Sequence, residues 1–515
     1  MAAAILISLA GCDLASPGGG SALGTERLAA EVPAETAPDH MPNRPLPEQE
    51  RALHEIELSF EGEGETLHGT LIVPSEAGPH PAVVLLGGSG PEARDQNRPL
   101  GEEFARNGVA ALIYDKRTRG YSANPTGARS YALLADDAVA AAELLRTLDT
   151  VDPGQVGVWG VSEGGWVAPL AANRTDAIAF VITMSAIGVA PVAQVAWSVG
   201  RTLEHRGIRS RSMHRALTER LPRFIVSAEM MGEATYDPVP AVEQLTQPYL
   251  GLWGESDSVQ PAFESARIMA DGLRRGGNRS YTLVLLPDTD HNGYPTEDGF
   301  TRTRGEFTLG YVSTMVGWIG EVAEGAPPVS SVETIPPPSG PSSEALLVPS
   351  PDVVRPKGFD HWYVQFTNMA LFLIGFLGYG VMGVWRWMQA RLLDGERTPP
   401  PAPTSAAAHR YARIAAVGGT SLWLYALYYL FSVFIDSTAV GGRDIASVVV
   451  AGRPGTWLML QVASIALVAC GALLAINLWR SRHQVGRMEA ARLTLVLVAV
   501  VAFVPWAIHW QLLVP

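Results

Sequence analysis

Between residues 53 and 320, short continuous apolar runs alternate with stretches of helical periodicity, a pattern that predicts a parallel sheet covered by helices on both faces. Leu53 to Phe60 and Thr66 to Val73 instead alternate apolar and polar positions around Glu61-Gly-Glu-Gly, which predicts an edge hairpin. The buried strands are expected at Ala82 to Leu86, Val109 to Tyr114, Val156 to Trp159, Ile178 to Met184, Pro248 to Trp253 and Tyr281 to Leu286. Between the fourth and fifth of these, Val189 to Gln247 has helical period and several arginines. It reads either as a cap over the carboxyl ends of the strands or as extra packing helices.

Beyond the sheet the pattern changes. Ala326 to Lys357 is rich in proline and serine and reads as an extended spacer. Four apolar runs of spanning length follow, near 366–387, 412–435, 457–479 and 493–513. Trp362, Tyr363, Trp385 and Trp387 flank the first as an interfacial belt. The loop after the first run carries Arg386, Arg391, Arg397, Arg410 and Arg413, and the loop after the third carries Arg480, Arg482, Arg487 and Arg492. The middle loop has Arg443 and Arg453, offset by Asp436 and Asp444. The positive-inside rule makes the first and third loops cytoplasmic, which leaves the sheet-forming part and the C-terminus outside.

The N-terminus is consistent with that side. Leu9-Ala10-Gly11-Cys12 resembles a bacterial lipobox, with Cys12 as the lipid attachment site, although the usual basic residues before the apolar stretch are missing. An ordinary signal sequence is the alternative. Residues 13–50 lack the apolar content to fold and read as a flexible tether. The expected organisation is a lipoprotein-like signal segment over 1–12, the tether over 13–50 and an α/β domain over 51–322 with its insertion at about 189–247. A linker over 323–358 and an all-α four-helix transmembrane region over 359–515 complete it. The net charge of -13 argues against a nucleic-acid partner. The two cysteines, Cys12 and Cys470, give no zinc pattern.

The chemistry begins at Gly160-Val161-Ser162-Glu163-Gly164, between a buried strand and a helix. Gly-x-Ser-x-Gly in that context is a nucleophile elbow: the turn is so tight that Gly160 and Gly164 have no room for a Cβ. Ser162 needs a base, and the base needs an orienting acid. Asp257 follows one strand, with Glu255 as a nearby alternative, and His291 follows the last strand. Of the eleven histidines, His291 stands on a post-strand loop downstream of both elbow and acid. His205 and His214 fall in the insertion. The oxyanion hole requires two backbone N–H groups, expected from Glu163 and from the Gly87–Gly90 loop, at Ser89.

These blocks resemble the α/β-hydrolase family, nearest the bacterial esterase and serine-aminopeptidase-like branch related to dienelactone hydrolases. The resemblance rests on Leu85-Leu-Gly-Gly-Ser-Gly-Pro, Ile113-Tyr-Asp-Lys-Arg, Leu134-Ala-Asp-Asp-Ala, Val158-Trp-Gly-Val-Ser-Glu-Gly-Gly-Trp and the blocks ending in Asp257 and His291. It implies a mostly parallel eight-stranded sheet, a Ser162–Asp257–His291 triad, and neither cofactor nor metal. Two departures stand out. Gly87 occupies a position where family members commonly carry His, which leaves the rigidity of the oxyanion loop open. The segment Tyr114 to Gly120 has one residue more than the usual Arg-Gly turn.

The expected function is a membrane-anchored serine hydrolase that cleaves a small-molecule carboxylic ester on the extracytoplasmic side of a bacterial membrane. Lipid or envelope esters are plausible substrates by location. A peptidase, thioesterase or acyltransferase would use the same triad. A membrane sensor with a non-catalytic hydrolase-like domain is the reading from another class.

Overall fold

A computed structural model describes residues 53–514 except 122–129, 302–304, 327–345, 390, 393–402 and 439–447. Cys12 and the proposed tether lie outside the described residues. An eight-stranded sheet has the order β1-β2-β4-β3-β5-β6-β7-β8. The strands are β1 His54–Gly62, β2 Glu65–Val73, β3 His80–Leu86, β4 Ala110–Tyr114, β5 Val151–Val161, β6 Phe180–Met184, β7 Tyr249–Gly254 and β8 Tyr281–Leu286. β1 and β2 form the antiparallel edge hairpin, and β2 also runs antiparallel to β4. From β4 to β8 every pairing is parallel.

The period of two along a strand explains the layers. Val83 and Leu85 of β3 face one side and pack with Leu100 and Phe104 of α1 (Arg98–Arg106) and Met315 and Trp318 of α9 (Tyr311–Ala323). Ala82, Val84 and Leu86 face the other, against α2 (Tyr131–Leu145), α3 (Gly164–Ala172) and α8 (Ala262–Arg275). Strand β5 begins five residues earlier than the apolar run suggests, with a register irregularity against β3 between His80 and Ala82.

The insertion forms α4 (Pro191–His205), α5 (Arg211–His214), a π-helical stretch (Arg215–Arg220), α6 (Leu221–Ser227) and α7 (Val239–Glu243). Its apolar residues do not all turn inward to the sheet. Val199, Leu203, Ile208, Met213, Leu217 and Leu221 share one core with four long C-terminal helices. These are α10 (Trp362–Gln389), α11 (Pro403–Thr438), α12 (Gly455–Arg480) and α13 (Arg487–His509), each long and apolar enough to cross a membrane. Small residues bring their backbones together. A Cβ on Gly375 of α10 would lie 2.4 Å from Ala499 Cβ of α13.

Polar contacts finish the junction. Thr202 Oγ1 donates to the Ser437 carbonyl at the end of α11. The Arg209 and Ser210 amides donate to the Gly452 carbonyl before α12. Trp457 Nε1 and Gln461 Nε2 donate to Ser212 Oγ at 3.2 and 3.3 Å. Part of the stretch read as a spacer is laid down as well. Val353 is fully buried, Trp197 Nε1 donates to the Val348 carbonyl, and Ser350 donates to the Glu264 carboxylate through N and Oγ.

Candidate active site

Ser162 stands at the end of β5 with φ 56°, in the left-handed region that a side chain rarely adopts. The neighbouring glycines make the turn possible. A Cβ on Gly160 would sit 2.2 Å from the Gly164 carbonyl oxygen, and one on Gly164 2.3 Å from that of Leu86. Ser162 N–H donates to the Met184 carbonyl of β6, which ties the elbow to the sheet edge. Helix α3 begins directly after Glu163, so its first amides gather beside the serine.

The loops after β7 and β8 bring the other two residues to the same edge. His291 Nδ1 and Asp257 Oδ2 are 2.8 Å apart, with Asp257 fully buried and His291 nearly so. The carboxylate that meets His291 Nδ1 is therefore that of Asp257. Asp257 Oδ1 also accepts from the Val259 and Gln260 amides at 2.8 and 3.2 Å, and Oδ2 accepts from Gln260 Nε2 at 3.0 Å. Burial pushes the Asp257 carboxyl up, but the attraction and hydrogen bond of His291, with the Val259 and Gln260 donors, outweigh it and hold the group below its usual range.

Sequence reading missed Gln260. Its side chain donates to Asp257 and accepts from Ser265 Oγ at 2.7 Å, so its amide orientation is fixed. A lone glutamine after an acid carries no signal until the turn is seen. Asp290, next to the histidine, shapes its loop by accepting the Asn292 and Tyr294 amides at 2.8 and 2.9 Å. Of the histidines in the insertion, His205 stacks on Phe300 with ring centres 4.0 Å apart, and His214 Nε2 pairs with the Ile208 carbonyl.

Behind the elbow lies a charged cluster that the sequence did not announce. Glu163 is fully buried, and Lys116 Nζ reaches its Oε1 at 2.6 Å. Tyr121 Oη donates to the same oxygen at 2.7 Å, and Ser89 Oγ donates to Oε2 at 3.4 Å. Arg117, the next residue, points elsewhere. Its guanidinium grips Asp137 through two bonds of 2.6 and 2.8 Å and reaches the Glu63 and Arg119 carbonyls. The lengthened Tyr114 to Gly120 turn thus sends Lys116 toward the elbow and Arg117 toward α2. Among the described residues no group of three or more His, Cys, Asp or Glu is arranged to hold a metal ion.

A mostly parallel sheet in this strand order, with a strained serine after β5 and a paired acid and histidine after β7 and β8, is the architecture of the α/β-hydrolase fold. Residues 133–308 match the prolyl oligopeptidase family. Esterase EstD of Thermotoga maritima is 28% identical over 254 residues, which cover 45% of this chain and 60% of that esterase. Quorum-quenching protein AidA of Acinetobacter baumannii is 23% identical over 233 residues, covering 45% of this chain and 75% of that protein. The crystal structure of dienelactone hydrolase from Anabaena variabilis is 20% identical, covers 52% of this chain and 98% of its own, and superposes with a TM-score of 0.33. These likenesses are to carboxylesterase-like α/β-hydrolases, and the chain spans less than two thirds of the length of the Thermotoga esterase.

Proposed function

We propose that the protein is a membrane-anchored serine hydrolase that cleaves carboxylic esters through an acyl-enzyme, with its active site on the extracytoplasmic side. The observation that carries the reading is the 2.8 Å contact of His291 Nδ1 with buried Asp257, on the sheet edge that also presents Ser162. With Nδ1–H given to Asp257, Nε2 is left as an acceptor. Ser162 Oγ attacks the ester carbonyl carbon while its proton passes to His291 Nε2. The resulting oxyanion lies on the Ser89 and Glu163 amides. Collapse expels the alcohol, which takes the proton back from His291, and water repeats the sequence to release the acid.

Two observations support the membrane setting. The bundle exposes Ile374, Leu377, Val381, Met459, Val462, Ile465 and Val501, a belt that water would not tolerate. The helix ends that meet the hydrolase are the start of α10, the end of α11 and the start of α12. Arg386 and Arg391, then Arg480, Arg482 and Arg487, stand at the opposite ends of the helices, as the positive-inside rule requires for an outward-facing hydrolase. Proximity to the bilayer favours lipid or envelope esters. The prolyl oligopeptidase match keeps peptide substrates as the second reading.

The test uses the full chain in detergent, because a cut after Ala323 would bare the apolar face of the insertion. Incubation with a fluorophosphonate probe is expected to label Ser162, and Ser162→Ala to abolish labelling. Labelling that is absent, or that survives the substitution, sinks the proposal. p-Nitrophenyl esters and p-nitroanilides assayed side by side separate esterase from peptidase.

A further inference from the structure

We propose that Lys116, held by Glu163, is the positioning residue of the oxyanion hole; this rests on the hydrolase reading above. Two consecutive peptide units of the Gly87–Gly90 loop are clamped by side chains. Lys116 Nζ donates to the Gly88 carbonyl, and the Gly90 amide donates to Tyr121 Oη at 2.8 Å. In a trans peptide the C=O of one residue and the N–H of the next point in opposite directions. Drawing the Gly88 oxygen onto Lys116 therefore turns the Ser89 N–H to the other side of the loop. Among the described residues nothing accepts from that N–H. The loop itself lies against the nucleophile, since a Cβ on Gly88 would be 3.8 Å from Ser162 Cβ.

The same cluster supplies what Gly87 lacks. A Cβ on Gly87 would fall 1.6 Å from Glu92 Oε2, so the Glu92 carboxylate fills the space that a side chain at position 87 would claim. Asn97 Nδ2 fixes the other Glu92 oxygen at 3.0 Å, and the Lys116 amide donates to the Glu92 carbonyl at 3.0 Å. Burial raises the Glu92 carboxyl above its ordinary value, although Lys116 and the Asn97 bond pull it down. Lys116 and Glu163 are 8% and 0% exposed in their side chains. A buried ion pair adds little stability over an apolar pair of the same volume. What it adds here is direction: Glu163 follows the nucleophile in sequence, so one ion pair locks the oxyanion loop to the elbow.

The test compares wild type, Lys116→Met and the double variant Lys116→Met/Glu163→Gln, all as full chains in detergent. The double variant removes both charges and keeps an acceptor for Tyr121, so it folds even where the single variant does not. Both are expected to lose about 10²-fold in kcat with KM within about threefold. Affinity for an arylboronic acid, which binds Ser162 as a tetrahedral anion, is expected to fall in step with kcat. A folded variant that keeps kcat within about threefold of wild type overturns the proposal. So does a joint loss in kcat and KM with a lowered melting temperature and unchanged boronate preference, which marks a merely structural pair. Wild type without Ser162-dependent labelling would remove the hydrolase reading itself, a failure visible before any Lys116 variant is made.

Discussion

Helix α4 has two working stripes one residue apart, and they hold its two neighbours by different physics. Gln194, Ser198 and His205 recur at helical spacing on one side. Gln194 Nε2 donates to the Val259 carbonyl, Ser198 Oγ to the Ser258 carbonyl at 3.4 Å, and His205 stacks on Phe300. These partners belong to the loops that carry Asp257 and His291. Val199 and Leu203, on the adjoining stripe, are fully buried against the long C-terminal helices. The polar stripe is directional and places loops to within a hydrogen bond. The apolar stripe is non-directional and supplies the burial. One fifteen-residue helix thus connects the edge that carries Ser162, Asp257 and His291 to the bundle, which gives the four long helices a task within the fold itself.

The largest separation of the two stripes is expected at the catalytic edge. Asp257→Asn leaves the shape intact but disturbs the imidazole tautomer, and kcat is expected to drop about 10⁴-fold, about 5.5 kcal/mol of barrier. Resistance of the insertion to trypsin is expected to stay at the wild-type level. Leu203→Asp does the reverse. A carboxylate without a partner in the seam is expected to cost at least about 4 kcal/mol. Arg209, Arg211 and Arg215 then become cleavable, as a time course of limited trypsin digestion would reveal. An insertion that stays resistant would show that the seam does not hold it.

The sheet was legible because its signal is local. Apolar runs such as Ala82 to Leu86 and turn residues such as Gly160 and Gly164 announce themselves within a few positions. The contact of Asp257 with His291 was foreseeable because strand ends in this fold converge on one edge. The seam was not legible for the opposite reason. Leu203 and Trp457 are 254 positions apart, and nothing in either stretch names the other. The helical period of Val189 to Gln247 revealed an apolar face without saying what covers it. The Lys116–Glu163 pair escaped for the same cause, since charged residues at a distance of 47 positions read as ordinary surface.

A smaller effect sharpens the seam. Ser212→Ala removes the acceptor of Trp457 Nε1, whose side chain is fully buried, and bares one face of Gln461. The expected cost is about 1–3 kcal/mol, the desolvation of an unsatisfied donor. It would appear as a lower melting temperature in detergent with kcat unchanged. A loss of kcat at constant stability would mean that the seam tunes the catalytic loops through α4.

The smallest effect is expected from acid, and its sign follows from Asp257. The folded protein holds this carboxyl below its ordinary value of 3.8, so the folded state releases the proton more readily than the unfolded chain. Its stabilisation is therefore fully present above the unfolded value and is lost as pH falls through the lower folded value. Asp257→Asn has no such proton to take up. The gap in melting temperature between wild type and Asp257→Asn is expected to be constant down to about pH 5 and to narrow below about pH 4. A gap that stays constant to pH 3 would mean that the hydrogen bonds from His291, Val259 and Gln260 do not favour the ionised form.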